Sequence, residues 1–299
     1  MSALLPPTVW ANHRLEWGEH TYVMGIVNIT PDSFSGDGLV TDTFTEDDLV
    51  QRAIAQAQKF VAEGAVLLDI GGESTRPHAT PISAKQELAR VVPVIRAIRQ
   101  VLPKEVMISI DTSKAEVAAQ ALEEGACIIN DIWAFRRDPE MAAVAAERGV
   151  PVVLMANMRG QQRYEIVSDV VRYLASSIDK ALTAGVAWEH IIIDPGMGFG
   201  TTPQENLALL RRLGELRALG RPILLGTSRK STLGLILGGL PVSERLEGTA
   251  ASVALGIAQG ADIVRVHDVH EMVRVVKVSD AIVRGTFVIS EKNSHRRTV

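Results

Sequence analysis

The sequence predicts an α/β protein, a single-domain (β/α)₈ TIM barrel with a short N-terminal extension. Three observations carry this prediction. Eight short runs rich in Val, Ile and Leu recur along the 299 residues, longer amphipathic Ala-rich segments separate them, and polar residues gather at the strand ends. Near-continuous aliphatic strands alternating with helices indicate a parallel sheet covered on its outer face. Eight βα units in about 250 residues are what such a barrel requires. A doubly wound open sheet would more often have fewer strands and a glycine-rich first turn.

Taken in order, residues 1–20 are expected to add a strand or hairpin that closes the bottom of the barrel. The barrel itself is assigned to 21–288 and a frayed, disordered tail to 289–299. The predicted strands are "YVMGIVN" at 22–28, "AVLLDIG" at 65–71, "VMISIDT" at 106–112 and "ACIIND" at 126–131. They continue with "VPVVLM" at 150–155, "HIIIDPG" at 190–196, "RPILLG" at 221–226 and "ADIVRVH" at 261–267. Helical patterns such as "EDDLVQRAIAQAQKFVAEG", "AKQELARVVPVIRAIRQVL" and "SKAEVAAQALEEG" lie between them, several stopping at Gly. The first strand ends abruptly in "NITPDSFSGDG", a polar stretch with two glycines and nothing that starts a helix.

Composition narrows the function. Apolar residues make up 46% of the chain, enough for a substantial core, and the formal net charge of −4 gives no reason to expect nucleic acid or an anionic membrane as partner. The single cysteine, Cys127, excludes an intramolecular disulfide and a cysteine-rich zinc site, and its place in "GACIIND" marks it as core. No signal peptide is expected in "MSALLPPTVWANHRLEWGEH", and no window approaches the roughly 18 apolar residues of a membrane span. A soluble, cytoplasmic protein is the expectation.

The polar strand ends are Asn28, Asp69, Asp111, Asn130, Asp194, Arg265 and His267. One such Asp is ordinarily a helix cap or turn residue, and in "DTSK" Thr112 and Ser113 could cap as well as Asp111. Recurrence at most of the strand ends is harder to explain that way, because every strand of a barrel ends at the same mouth. Asp111, Asn130 and Asp194, with Met155 and Phe199 beside them, would suit a flat, nitrogen-rich heterocycle whose N–H groups need acceptors. Arg76, Lys230, Arg265 and His267 form a cationic set, and a helix opening over Ser228 to Ser231 would add backbone N–H donors. Together they read as a site for phosphate or diphosphate. No His/Cys/carboxylate spacing fits a tight transition-metal site. His267 and His270 lie three apart, but His270 belongs to the next helix and is expected to be exposed. "GMGFG" at 196–200 lacks the third glycine of a dinucleotide fingerprint.

From about Tyr22 to Gly285 the chain resembles the dihydropteroate synthases of the folate pathway. The blocks that carry the resemblance are "NITPDSFSGDG", "GAVLLDIGGESTRP", "SIDTSK", "IIND", "IDPGMGFG", "GTSRKS" and "RVHDV", in that order. Corrinoid-linked methyltransferases share the pterin acids but do not usually carry "STRP" together with "SRKS". The resemblance implies condensation of p-aminobenzoate with 6-hydroxymethyl-7,8-dihydropterin diphosphate, releasing diphosphate. It implies that Asp111, Asn130, Asp194 and Lys230 hold the pterin, with Met155 and Phe199 packed beside it and Arg265 stacked on it and touching diphosphate. Asn28, Arg76 and His267 would bind the diphosphate, Asn28 through magnesium. Thr75, Pro77, Ser231 and Phe34 would shape the aminobenzoate pocket, and "TPDSFSGDG" would be a mobile loop whose glycines let it close over the mouth. Asp111, Lys230, Arg265 and Asp32 are the residues expected to carry the chemistry, Asp32 or a water taking the released proton. A homodimer is implied as well. Three departures stand out: Thr201 where the family commonly has Lys, "LMANM" where it often has "LMHM", and "SFSGDG", which moves Asp37 by one position.

Overall fold

The computed structural model describes residues 5–30, 46–74 and 80–287. It opens with a two-stranded antiparallel hairpin, β1 (Thr8–Trp10) and β2 (His13–Leu15). There follow β3 (Tyr22–Asn28), α1 (Glu46–Glu63), β4 (Leu67–Gly71), α2 (Ala84–Val101), β5 (Met107–Asp111), α3 (Ala115–Glu123) and β6 (Ile128–Asp131). The second half contains α4 (Glu140–Arg148), β7 (Val152–Met155), α5 (Ile166–Thr183), β8 (Ile191–Asp194), α6 (Pro203–Arg211) and β9 (Leu224–Leu225). It ends with α7 (Ser231–Ile236), α8 (Leu246–Ala258), β10 (Ile263–Val266) and α9 (Val269–Val283).

Among the described residues eight strands form one parallel sheet in the order β8-β7-β6-β5-β4-β3-β10-β9. A parallel bridge between Ile193 and Ile223 joins its two ends, with Ile193 N–H donating to Pro222 O over 3.0 Å. The sheet is therefore the barrel that the aliphatic runs predict. All eight predicted strands are present, most of them two or three residues shorter. Where the sequence extends a strand to 196, the chain leaves the ladder after Asp194 because Gly196 takes a left-handed φ of 74°.

Burial explains why the strands read as unbroken hydrophobic runs. Leu67, Leu68, Ile70, Ile108, Ile110, Ile128 and Ile129 are wholly buried, some facing the barrel interior and others the helices. The helices present one stripe inward: in α2, Val91, Val94, Ile95 and Ile98 are wholly buried. Each such side chain contributes about 1.5–3 kcal/mol relative to exposure. The start of α2 is set by a reciprocal Ser83–Gln86 capping box, that of α6 by Thr202–Glu205 with Pro203 in the first turn.

The hairpin lies at the end of the barrel away from the strand C-termini. Thr8 Oγ1 donates to Glu189 O over 2.5 Å, just before β8, and accepts from Trp17 Nε1–H over 3.1 Å. Thr21, entering β3, donates from its N–H and hydroxyl to Asp280 of α9, both over 2.7 Å. Cys127 is half-buried and packs against the core, where burial pushes its thiol up to about 11. The predicted tail lies outside the described residues.

Candidate active site

Strand register already assembles part of the site. Asn28, Gly71, Asp111 and Asn130 occupy partnered positions on β3, β4, β5 and β6, so they form one row across the top of the barrel. Met155 and Asp194 are partners on β7 and β8 in the same way. A row at the C-terminal rim is where a parallel barrel leaves side chains free of the packed interior.

All of these but Gly71 line a cavity of about 490 Å³ at the strand C-termini. Asn28, Asp111, Asn130, Met155 and Asp194 reach it from the strands, and Phe199 from the loop after β8. Lys230 and Ser231 reach it from the start of α7, and Arg265 and His267 from the end of β10. Every described candidate is thus at one mouth, Asp194 and Arg265 included. Asp32, Phe34, Asp37, Thr75, Arg76 and Pro77 lie outside the described residues, as does the expected closing loop.

The electrostatic centre is Arg265. Its Nε donates to Asp69 Oδ2 over 2.6 Å and its Nη2 to Asp111 Oδ2 over 2.8 Å. Asp69 Oδ2 also accepts from Asn130 Nδ2 over 3.0 Å, and Asp69 is wholly buried. Burial, and then the neighbouring Asp69 charge, push the Asp111 carboxyl up to about 7 against the pull of Arg265. Asp194 is raised, chiefly by burial, although it accepts the Gly196 N–H over 2.7 Å and faces Lys230 and Arg265. Lys230 is lowered by burial, with Asp194 opposing. Its Nζ stands 4.4 Å from the Phe199 ring centroid, and Arg159 Cζ stands 5.0 Å from the same ring.

Two loops shape the mouth. "GMGFG" needs its glycines: a Cβ on Gly196 would stand 1.9 Å from Ala156 O, and one on Gly200 2.3 Å from Arg159 N. The loop is tied down where Gly198 N–H donates to Asn206 Oδ1 over 2.9 Å and to Thr201 Oγ1 over 3.1 Å. Thr201, one of the departures noted above, therefore acts as a link to Asn206 and is not the helix cap, which is Thr202. In a second departure, Asn157 is wholly buried and its Nδ2 has no partner among the described residues.

The second loop corrects one prediction. The helix expected over Ser228 to Ser231 starts only at Ser231 and is six residues long. Arg229 adopts a left-handed φ of 58°, which a helix interior excludes. That turn lets its N–H donate to Thr249 Oγ1 over 3.1 Å and its guanidinium grip Asp268 with two bonds, of 3.0 and 2.5 Å. Ser228, before the turn, is bonded to His267: it accepts the His267 N–H over 3.1 Å and lies 3.0 Å from Nδ1. Burial, and then Arg265 and Arg229, push His267 down to about 3, so its imidazole is neutral at physiological pH.

Sequence reasoning singled out Asp69 only as a polar strand end, although an acid within "LLDIGG" is an unusual charge to bury. Arg159 is not assigned to the site from the sequence, and Ser228 and Arg229 enter it only as backbone donors of the expected helix start. Arg159 sits in a polar stretch after β7 that carries no motif, and Arg229 and Ser228 are site residues only because of the turn between them.

The model of the pterin binding enzyme family matches residues 24–267 of the chain. The dihydropteroate synthase of Clostridium beijerinckii is 47% identical over 268 residues, covering 89% of this chain and 96% of that relative. The Bacillus subtilis dihydropteroate synthase is 47% identical, covering 90% of each. Among solved structures, the Clostridium difficile dihydropteroate synthase determined in the presence of pteroic acid superposes with a TM-score of 0.84 at 44% identity, covering 90% of this chain and 99% of that one. The Xanthomonas albilineans dihydropteroate synthase in complex with 7,8-dihydropteroate gives 0.81 at 38%, covering 93% and 98%.

Proposed function

The chain belongs to the dihydropteroate synthases of the pterin binding enzyme family, and from that premise we propose how its mouth carries out their reaction. It is a transferase that condenses 6-hydroxymethyl-7,8-dihydropterin diphosphate with p-aminobenzoate, giving 7,8-dihydropteroate and diphosphate. The observation that carries the residue assignment is the meeting of acceptors, cations and a neutral imidazole in one cavity: Asp111, Asn130 and Asp194 beside Lys230, Arg265 and His267.

In this reading the pterin ring lies on the acceptor side. Its N–H and amino groups donate to the Asp111 and Asp194 carboxylates and to Asn130, and Met155 and Phe199 flank its faces. To take Asp111, the pterin displaces one bond from Arg265, which keeps its bond to Asp69. The diphosphate lies toward Arg265 and His267, and Arg76 joins them on the strength of its motif. Bond breaking at the methylene leaves positive charge delocalised into the electron-rich pterin, near the two carboxylates. The negative charge of the leaving group develops against the fixed cations. The arylamine attacks while neutral, so no strong base is required, and Asp32 or a water takes its proton. Thr75, Pro77, Phe34 and Ser231 shape the aminobenzoate pocket. We propose a largely dissociative displacement, for which the rate changes little across anilines of different nucleophilicity.

Magnesium fits this mouth through Asn28. Asn28 lines the cavity at a strand end and is half-buried, and magnesium favours oxygen ligands with few protein groups and substrate phosphates. Among the described residues no cluster of three or more His, Cys, Asp or Glu could hold a metal, and diphosphate and water would add ligands to Asn28. Bound there, the ion would neutralise charge on the leaving diphosphate.

We also propose a homodimer and a cytoplasmic setting. The dimer reading is supported by exposed Leu207 on α6, Leu235 and Ile236 on α7, Val242 beyond it and Leu255 on α8, helices that contact one another. Among the described residues no helix is long and apolar enough to cross a membrane.

The reaction is tested by incubating the protein with the pterin diphosphate, p-aminobenzoate and magnesium. Diphosphate release that requires aminobenzoate, and that Arg265→Ala lowers by about 10²–10³-fold, is the expected result. Methyl transfer from a tetrahydropterin with no such release would overturn it.

A further inference from the structure

We infer that Ser228 is a positioning residue that fixes His267 as its Nε2–H tautomer, so that the ring offers a donor to an anion in the mouth. The reasoning is a count of protons. Ser228 is buried, its Oγ accepts the His267 backbone N–H over 3.1 Å, and the same oxygen lies 3.0 Å from Nδ1 of that ring. A hydroxyl has one proton to give. If Nδ1 carried a hydrogen, Oγ would accept twice and its own proton would have no protein acceptor among the described residues, only water in the mouth that Ser228 lines. Donation from Oγ–H to Nδ1 satisfies every group, and a neutral imidazole then carries its hydrogen on Nε2.

The other ring nitrogen is the one that a ligand meets. The His267 ring lines the cavity, and Nε2 has no protein partner among the described residues and is not a sealed, buried atom. The charged groups around the ring are Arg265 from its own strand end, Arg229 and Lys230 from the turn before α7, and Asp268 at the start of α9, which Arg229 already holds. An anion drawn by these cations would meet repulsion from an Nε2 lone pair and a hydrogen bond from Nε2–H. Ser228 thus decides which of the two the site presents, through a bond made on the far side of the ring. The inference rests on the proposed reaction only in naming the anion as diphosphate.

The test has two arms on the full chain. First, ¹⁵N NMR of the ligand-free protein labelled at its histidine rings, with the His267 resonance assigned by its loss in His267→Gln, reads the tautomer directly. The expected pattern is a protonated Nε2 and an unprotonated Nδ1 in the native protein, a mixture in Ser228→Ala, and the native pattern again in Ser228→Thr, which keeps the hydroxyl. Second, calorimetric titration with inorganic diphosphate and magnesium should show about five- to tenfold weaker binding in Ser228→Ala, the loss of one oriented hydrogen bond. Affinity for a pterin lacking diphosphate should stay within twofold (roughly the noise of one bond's share). An Nδ1–H tautomer in the native protein, or a Ser228→Ala protein unchanged in both arms, overturns the inference even where turnover is normal. The expected tautomers in a protein that never releases diphosphate would support the Ser228 assignment and overturn the reaction.

Discussion

Arg265 and Asp111 are bonded across the mouth, Nη2 to Oδ2 at 2.8 Å, while the other edge of the same guanidinium holds the wholly buried Asp69 at 2.6 Å. The two carboxylates differ in access: the Asp111 side chain is 12% exposed and that of Asp69 is sealed. One bond can be exchanged for a ligand and the other cannot. Asp69 is thus the anchor of Arg265 and, through the shared oxygen, of Asn130.

Removing that anchor should therefore damage fold and site together. Asp69→Ala should lower stability by about 2–3 kcal/mol, less than for a fully buried pair because the Arg265 side chain is 20% exposed and keeps Asp111. Urea unfolding measures this. Asp69→Asn, which keeps the bond to Asn130 in reach, should cost less stability yet still weaken pterin binding. A variant with native pterin affinity would show that Arg265 needs no anchor.

The raised Asp111 carboxyl sets opposite pH trends for stability and ligand binding. Its value rises from 3.8 when unfolded to about 7 when folded, so folding takes up a proton between those limits. Stability from this group is full below the lower value and is lost as pH rises through about 7. Pterin binding needs the ionised carboxylate and should strengthen over the same rise, then level off. In Asp111→Asn that midpoint should vanish, leaving the lower one of Asp194, about 6. Urea unfolding across this range checks the stability trend, and titration with a pterin lacking diphosphate checks the binding trend.

Two glycines with similar positive φ should respond very differently to alanine. Gly149, at a φ of 59°, has nothing within 4 Å of an added Cβ, so Gly149→Ala should cost only about 1–2 kcal/mol of left-handed strain. At Gly196, with a φ of 74°, the Cβ would meet Ala156 O at 1.9 Å and force the loop carrying Phe199 to move. Gly196→Ala should lose more stability than Gly149→Ala in thermal unfolding, and should also lose pterin affinity.

If α6, α7 and α8 form the dimer face, a charge at its most exposed leucine should split it. Leu235 is 61% exposed in the single chain, so Leu235→Glu should leave the fold intact by circular dichroism. Light scattering should then report a monomer for the variant and a dimer for the native chain. Equal masses would remove this face from the interface.

Much of the mouth was legible in the sequence because a parallel barrel brings all its strand ends to one rim. Asn28, Asp111, Asn130 and Asp194 could be placed there from strand periodicity alone. The same reasoning could not rank them. Asp69 and Arg265 are 196 residues apart, and nothing in either segment says that one will hold the other.

What the amino-acid order determined by itself was the alternation of aliphatic strands and amphipathic helices, hence the barrel and the rim residues. Those signals are local, repeating every two residues in strands and every 3.6 in helices. Tertiary structure alone decided that Arg265 bridges two acids, that Arg229 turns left-handed and shortens the expected helix, and that Ser228 meets His267 from 39 residues away. Such contacts depend on how the barrel closes and on the stagger of its strands, which bring distant residues within bonding reach and leave no periodic trace in the chain.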